Sequence, residues 1–174
     1  MAPGEGQIRE RLSPGRGMKG WDKAFYAVYI TSIFALLALA PLDAGRFHWS
    51  PEIPLWLYAA AYAASGAGLA WSAWARKVNR FFSSVARIQK DRGQCVVTGG
   101  PYRYMRHPGY AGFIPLLFAL PIMLGSYVAL IPAAATLPAL LARTYLEDGM
   151  LKKELKGYKE YCKKVKYRLI PGVW

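Results

Sequence analysis

Cysteine is scarce in this 174-residue chain. The two present, Cys95 and Cys162, are not at metal-ligand spacing, and no zinc-type cluster accompanies them, so no metal site is expected. Acidic residues are also few, 10 against 23 Lys and Arg, which leaves a net charge of +13. Charge of either sign is missing altogether from residues 24–42, 53–75 and 110–142, and the chain is 54% hydrophobic. A soluble single domain rarely combines such basicity with such uncharged runs. A basic chain first suggests nucleic acid, but no nucleic-acid module is visible in the sequence and no nucleic-acid partner is expected. There is no internal repeat.

The uncharged runs suit the hydrocarbon core of a bilayer, where a helical crossing takes about 20 apolar residues. The first is too long for the apolar part of a signal peptide and lacks a small-residue cleavage site before a soluble chain, so it reads as a retained span over about residues 23–42. A second span covers about 54–75, with Gly66 and Gly68 as close-packing positions. The third run has 33 residues. As one straight helix it would rise about 50 Å, beyond a core of about 30 Å. Gly125-Ser126 near its middle predicts a tight hairpin between two shorter helices, which Pro115, Pro121, Pro132 and Pro138 should bend or interrupt. The expected fold is therefore all-α: a polytopic transmembrane bundle of about four spans, with a short helical hairpin and C-terminal amphipathic helices. In that last segment Leu151, Leu155, Tyr158 and Cys162 recur at helical spacing among lysines, a pattern for a basic face on anionic lipid, with Gly157 as a break.

Charge gives the orientation. The N-terminal segment through Lys23 carries five Lys and Arg, the first loop only Arg46, residues 76–108 eight and residues 143–174 nine, while the Gly125 turn carries none. The positive-inside rule then places both termini and the basic middle segment in the cytoplasm, and four crossings satisfy that parity. Both cysteines fall on this reducing side and are expected as free thiols. The expected location is an integral, multi-pass membrane one, with the lipid bilayer itself as a partner. Residues 1–22 are expected to form a cytoplasmic tail, and 23–174 a single membrane domain.

Two constellations could carry chemistry. Residues 94–112 read QCVVTGGPYRYMRHPGYAG, with Thr98, Gly99, Gly100 and Pro101 as a turn and Pro108 suited to the first turn of an apolar helix. His107 would sit at the positive end of that helix, a place for an anionic group. The alternative is a juxtamembrane belt of Arg and Tyr, and Arg103, Arg106 and the tryptophans read as such interface anchors. The second constellation is Arg143 and Glu147, four apart on one helix face. Spacing alone favours an exposed ion pair there, although ionisable groups beside a bilayer also mark sites. Asn79, Arg80 and Phe82 read as structural residues rather than as a lid.

Order and separation together add a resemblance. Gly100-Pro101-Tyr102, then Arg106-His107-Pro108-x-Tyr110-x-Gly112, an apolar hairpin, and Arg143-x-x-x-Glu147-Asp148-x-x-Leu151 resemble the isoprenylcysteine carboxyl methyltransferase family and its prokaryotic relatives. The endings Gly157-Tyr158-Lys159-Glu160-Tyr161 and Tyr167-Arg168-Leu169-Ile170-Pro171-Gly172 are similar too. The likeness covers about residues 81–174 well and the first two spans only in general character. It implies an S-adenosylmethionine-dependent integral membrane methyltransferase, leaving S-adenosylhomocysteine, with its catalytic part at about 79–174. It implies cofactor contacts at Gln94, Cys95, Val96, Val97, Tyr102, His107, Pro108, Gly109, Tyr110 and Glu147, and a substrate-contacting Arg143. Arg87 falls at a further contact position where eukaryotic members carry glutamine.

The chemistry agrees with these residue types. Methyl transfer from a sulfonium is an in-line displacement that needs chiefly alignment, and a carboxylate acceptor needs no base near neutral pH. Arg143 could hold such a carboxylate in a bidentate fork. Glu147 could meet the cofactor's ammonium and His107 its carboxylate, with Gly99, Gly100 and Gly109 admitting the cofactor close to the backbone. The acceptor is expected to be lipidic or prenylated: an isoprenylcysteine-like carboxylate, or alternatively a phospholipid amine or a thiol. The Arg-His-Pro motif and the C-terminal ending also resemble NADPH-dependent membrane sterol reductases, and a non-enzymatic lipid-binding scaffold is the third reading.

Overall fold

The computed structural model describes residues 17–174, and these form helices joined by loops, with no strand among them. Five α-helices follow in order: α1 Gly20–Leu42, α2 Leu55–Val78, α3 Pro108–Met123, α4 Leu130–Glu154 and α5 Tyr158–Lys164. A π-helical turn, Asp43–Phe47, extends α1, and short 3-10 turns at Lys90–Arg92 and Gly100–Arg103 punctuate the long connection between α2 and α3. Most of the expected tail, 1–22, lies outside the described residues; α1 already begins at Gly20.

The expected hairpin is present. Gly125 adopts φ +80°, open to glycine without steric cost, between α3 and α4. The prolines do not interrupt either helix: Pro115 and Pro121 lie inside α3 and Pro138 inside α4. The second arm is longer than its uncharged stretch. It runs unbroken for 25 residues through Arg143 and Glu147 to Glu154, so the charged end of α4 projects as a rigid extension of an apolar helix.

The two ends of the bundle differ. At one end Asp43 is fully buried and accepts hydrogen bonds from Ser50 N (2.7 Å), Ser50 Oγ (2.5 Å) and Ser126 Oγ (2.5 Å). This staples the α1–α2 loop to the α3–α4 turn and satisfies polar groups that would otherwise be costly to bury. At the other end lie the α2–α3 connection and the C-terminal segment. Between the ends, α2 and α3 approach closely. A Cβ on Gly68 would lie 2.5 Å from Gly112 O, and one on Gly112 would lie 2.7 Å from Gly68 O and would clash with Ser72 Oγ. Gly68 is thus a close-packing site of the kind expected, whereas Gly66 has open space around it.

Among the described residues one helix is long and apolar enough to cross a membrane: α1 with its π-helical turn, Gly20–Phe47, 28 residues whose most apolar stretch has a mean hydropathy of 2.0. Helix α3 is apolar but shorter, while Ser, Tyr, Trp and the terminal Arg76 and Lys77 dilute α2. Only 22% of the most apolar stretch of α1 is buried within the protein. Phe34, Leu55, Trp56 and Ile131 are likewise exposed.

The C-terminal apolar stripe is not turned outward. Leu155, Tyr158, Tyr161 and Val165 form a buried cluster with Ile88, Val96, Leu151 and Cys162 packed against it. The apolar side folds back on the α2–α3 connection, because those residues supply apolar partners of their own, and Lys156, Lys159, Lys163 and Lys164 are left exposed. Gly157 breaks the helices as expected, with φ +84° between α4 and α5.

Candidate functional site

The two constellations meet at the end of the bundle opposite Asp43. Pro108 opens α3 and His107 is its capping residue, fixed by His107 N donating to Arg168 O at 2.9 Å. One turn into α3, the ring of Tyr110 stacks on that of His107, 5.7 Å between centroids and 2° from parallel. Tyr110 Oη then donates to Glu147 Oε2 at 2.5 Å. His107, Tyr110 and Glu147 thus form one continuous wall built from α3 and α4.

That wall borders a cleft whose empty space, counted out to its mouth, is about 770 Å³. Gln94, Cys95, Val96, Val97, Tyr102, His107, Gly109, Tyr110 and Glu147 all line it. Of the expected cofactor contacts only Pro108 does not; it is buried at the start of α3. Arg87 lines the cleft too. Tyr102 is buried and receives a hydrogen bond from Asn79 Nδ2 at 3.0 Å. Burial pushes its phenol up to about 12 against that bond, so it remains a neutral hydroxyl. Cys95 is exposed, and both cysteines are free thiols.

Behind the wall stands Asp148, fully buried. Being next to Glu147 on the helix, it points about 100° away, toward the C-terminal segment. Arg106 Nε lies 2.7 Å, Lys152 Nζ 2.8 Å and Arg168 Nε 3.2 Å from its carboxylate, and Tyr158 Oη donates at 3.0 Å. Burial raises the Asp148 carboxyl, but the neighbouring His107 and the hydrogen-bonding Arg106 and Lys152 outweigh it and hold the group well below the usual carboxylate range. His107 Nε2 lies 3.6 Å from Asp148 Oδ1, long for a hydrogen bond, and is a buried polar atom with no hydrogen-bond partner among the described residues.

Arg106 corrects an expectation. It is not an interface anchor but a buried clamp, which also donates to Val165 O (2.8 Å) and Lys166 O (2.7 Å) and ties residues 106–107 to the chain's last segment. A Cβ on Gly109 would meet the Phe82 ring at 2.7 Å, and one on Gly100 would meet Val78 at 2.8 Å, so both glycines also let protein elements close up on each other, while Gly109 lines the cleft.

Arg143 does not pair with Glu147. It is buried against Asp22 of α1, Nε to Oδ1 at 2.8 Å, and its Nη2 donates to Ser84 O at 2.5 Å. The rings of Phe25, Tyr26 and Tyr110 surround the guanidinium at 4.5, 5.2 and 5.2 Å, attractive cation–π distances. Nη1 makes no hydrogen bond to the described residues and remains available. Arg143 lines a second, larger cavity, whose empty space counted out to its open mouth is about 1530 Å³ and whose walls include Phe25, Tyr29, Phe113 and Leu140. Asn79, Phe82, Ser83, Gly109 and Tyr110 belong to both cavities, so the two adjoin across a shared wall. Asn79 and Phe82, read from sequence as structural, line both, and Arg80 lines the second.

The helical bundle thus carries two adjoining cavities of mixed lining, the first with His107, Tyr110 and Glu147, the second with Phe25, Tyr29, Phe113 and Leu140 beside four arginines. Residues 65–153 match the isoprenylcysteine carboxyl methyltransferase (ICMT) family. The chain belongs to that family, which decides against the sterol-reductase likeness. Two relatives from rice, Oryza sativa subsp. indica and subsp. japonica, each described as "Probable protein-S-isoprenylcysteine O-methyltransferase", are 30% identical over 88 residues, 49% of this chain and 46% of theirs. The chain spans about half the length of these relatives. The matched segment runs from α2 to the end of α4 and takes in most of both cavities. It leaves out Asp22, Tyr158 and Arg168, which no motif flagged as site residues.

Proposed function

We propose that the protein is an S-adenosylmethionine-dependent methyltransferase acting on a membrane-dissolved acceptor, with an isoprenylcysteine-like carboxylate as the favoured acceptor. The carrying observation is the shared wall: a cleft lined by His107, Tyr110 and Glu147 touches, across Gly109 and Tyr110, a larger cavity with an aromatic and aliphatic side (Phe25, Tyr29, Phe113, Leu140) and Arg143. Methyl transfer needs two ligands side by side and in line, and little else.

The residues present fit the cofactor. The His107 ring, the half-buried carboxylate of Glu147 and the aromatic faces of Tyr102 and Phe82 line the cleft with polar groups and an apolar middle. Gln94, Cys95, Val96 and Val97 form the opposite side, and Pro108 sets His107 at the helix start. When bound, the cofactor supplies an electrophilic methyl on a sulfonium. Glu147 would attract its cationic groups while Tyr110 fixes that carboxylate in place. Arg143, held by Asp22 and Ser84 O, would offer Nη1 to the acceptor's carboxylate and orient it for attack. Phe113 and Leu140 would hold the apolar chain. Neither cavity needs a proton to move, since a carboxylate is already the nucleophile.

The same reading takes the protein as multi-pass. The exposed apolar side chains on α1, α2 and α4, and the separation of the Asp43 end from the cationic end, support four crossings with both termini cytoplasmic in a prokaryotic inner membrane. Residues 23–174 then act as one domain, with its catalytic part at about 79–174.

The test is methyl transfer from radiolabelled S-adenosylmethionine by purified protein in lipid nanodiscs. Label entering N-acetyl-farnesylcysteine as a base-labile ester supports the proposal. Label on a phospholipid amine or a thiol would favour the N- or S-methylating alternatives. No transfer, with no binding of S-adenosylhomocysteine, would overturn it in favour of a scaffold.

A further inference from the structure

The inner and outer parts of the second cavity differ in charge. Deep inside, Arg143 is paired with Asp22, so the interior is close to neutral. On the rim, Arg76, Arg80 and Arg92 line the same cavity, and no described carboxylate lies within 4.0 Å of any of them. They are also held in place. Arg76 lies over the Phe82 ring at 5.3 Å and Arg80 over the Phe81 ring at 4.6 Å. Arg92 donates through Nη2 to Arg80 O at 2.8 Å and through Nη1 to Gln89 Oε1. Three preset guanidiniums at the mouth of an apolar cavity focus a positive field on whatever enters head-last.

We infer that this cavity takes an amphiphile with one apolar chain and a head carrying at least two negative charges, its tail against the apolar wall and its head on Arg76, Arg80 and Arg92. The inference rests on the methyltransferase reading and narrows its acceptor: an isoprenylcysteine-like carboxylate faces Arg143, and a further acidic group beside it stays on the rim. The single carboxylate binds but leaves most of the rim charge uncompensated, so the second negative charge strengthens binding and a polybasic flank weakens it. Arg is the residue suited to such heads, because its planar donors fit carboxylate and phosphate in pairs.

The test is calorimetric titration of the purified full chain in neutral detergent micelles with dodecyl phosphate, dodecanoate, dodecyltrimethylammonium and inorganic phosphate. Dodecyl phosphate is expected to bind at least about tenfold more tightly than dodecanoate at pH 8, where the phosphate is dianionic, consistent with one additional charge-assisted contact. The Arg80→Gln/Arg92→Gln variant should erase that preference, whereas Lys77→Gln, an exposed cation outside the cavity, should keep it. Equal binding of inorganic phosphate would show a free-anion site and overturn the inference. So would equal affinity for the two alkyl anions, tighter binding of a farnesylated polybasic peptide, or a phosphate preference surviving in the double variant. S-Adenosylhomocysteine is titrated separately. Its binding without the phosphate preference sinks this inference alone, and its absence alongside the preference sinks the methyltransferase reading alone.

Discussion

Asp22 and Arg143, 121 residues apart, form a buried ion pair at 2.8 Å that fastens the start of α1 to the point where α4 leaves its apolar stretch. The contact is close but poorly aligned, since Asp22 Oδ1 and Arg143 Nε both lack a hydrogen bond among the described residues. The carboxylate is instead anchored by Ala86 N at 2.8 Å. The pair therefore holds the guanidinium in place without using all its donors, which suits a residue that must also receive a ligand.

Arg143→Lys keeps a charge but loses the fork and the stacking on Phe25. The expected outcome is an acceptor KM raised about tenfold or more, the equivalent of losing one charge-assisted hydrogen bond. Affinity for S-adenosylhomocysteine should stay within about twofold, since Arg143 lines only the second cavity. Steady-state kinetics with a parallel binding titration check this split.

Tyr110→Phe keeps the ring on His107 but removes the donor to Glu147. Water can partly replace it at a half-buried carboxylate, so the stability loss should be about 1 kcal/mol. Cofactor affinity should fall about fivefold, because that energy is what held Glu147 in position. Thermal unfolding and calorimetry on the same preparation measure both.

Asp148 is the structural hub, so Asp148→Asn should cost about 3–5 kcal/mol by leaving buried cations short of a partner. The pH dependence has a definite sign. The folded carboxyl lies below its ordinary value, so its contribution is complete above the unfolded value of about 3.9 and is lost progressively as pH falls below it. Midpoints measured from pH 7 to pH 3 should drop on the acid side for the native protein, and this part of the drop should be missing in Asp148→Asn.

Gly112→Ala forces a methyl against Gly68 O and Ser72, and overpacking of this kind costs about 1–3 kcal/mol. Gly66→Ala in α2, two residues from Gly68, meets open space and should be neutral or stabilising by up to about 1 kcal/mol. Chemical denaturation of the two variants tests whether α2 and α3 pack through this one point.

Much of this arrangement was legible in the sequence. Uncharged runs gave the helices of α1, α2 and the hairpin to within a few residues, because the absence of charge over such lengths has few structural solutions. Gly125 and Gly157 marked the breaks, since both need a positive φ. The ordered motifs from Gln94 to Glu147 gathered around one cleft. What stayed hidden depends on partners distant in the chain. Arg106 looks like an interface anchor until Asp148 and the carbonyls of residues 165–166 are folded around it. Asp22 sits beside a tail in sequence, and only the approach of α1 to α4 makes it a partner of Arg143. Gly100 and Gly109 carry no mark telling a protein neighbour from a ligand.

The most direct measurement is the calorimetric titration of purified protein with S-adenosylhomocysteine, run beside Glu147→Gln and His107→Ala. Saturable binding at one site per chain, weakened about tenfold or more in each variant while helicity is unchanged, is the expected result. An absence of binding, or binding that neither substitution disturbs, would contradict a cofactor cleft walled by His107, Tyr110 and Glu147.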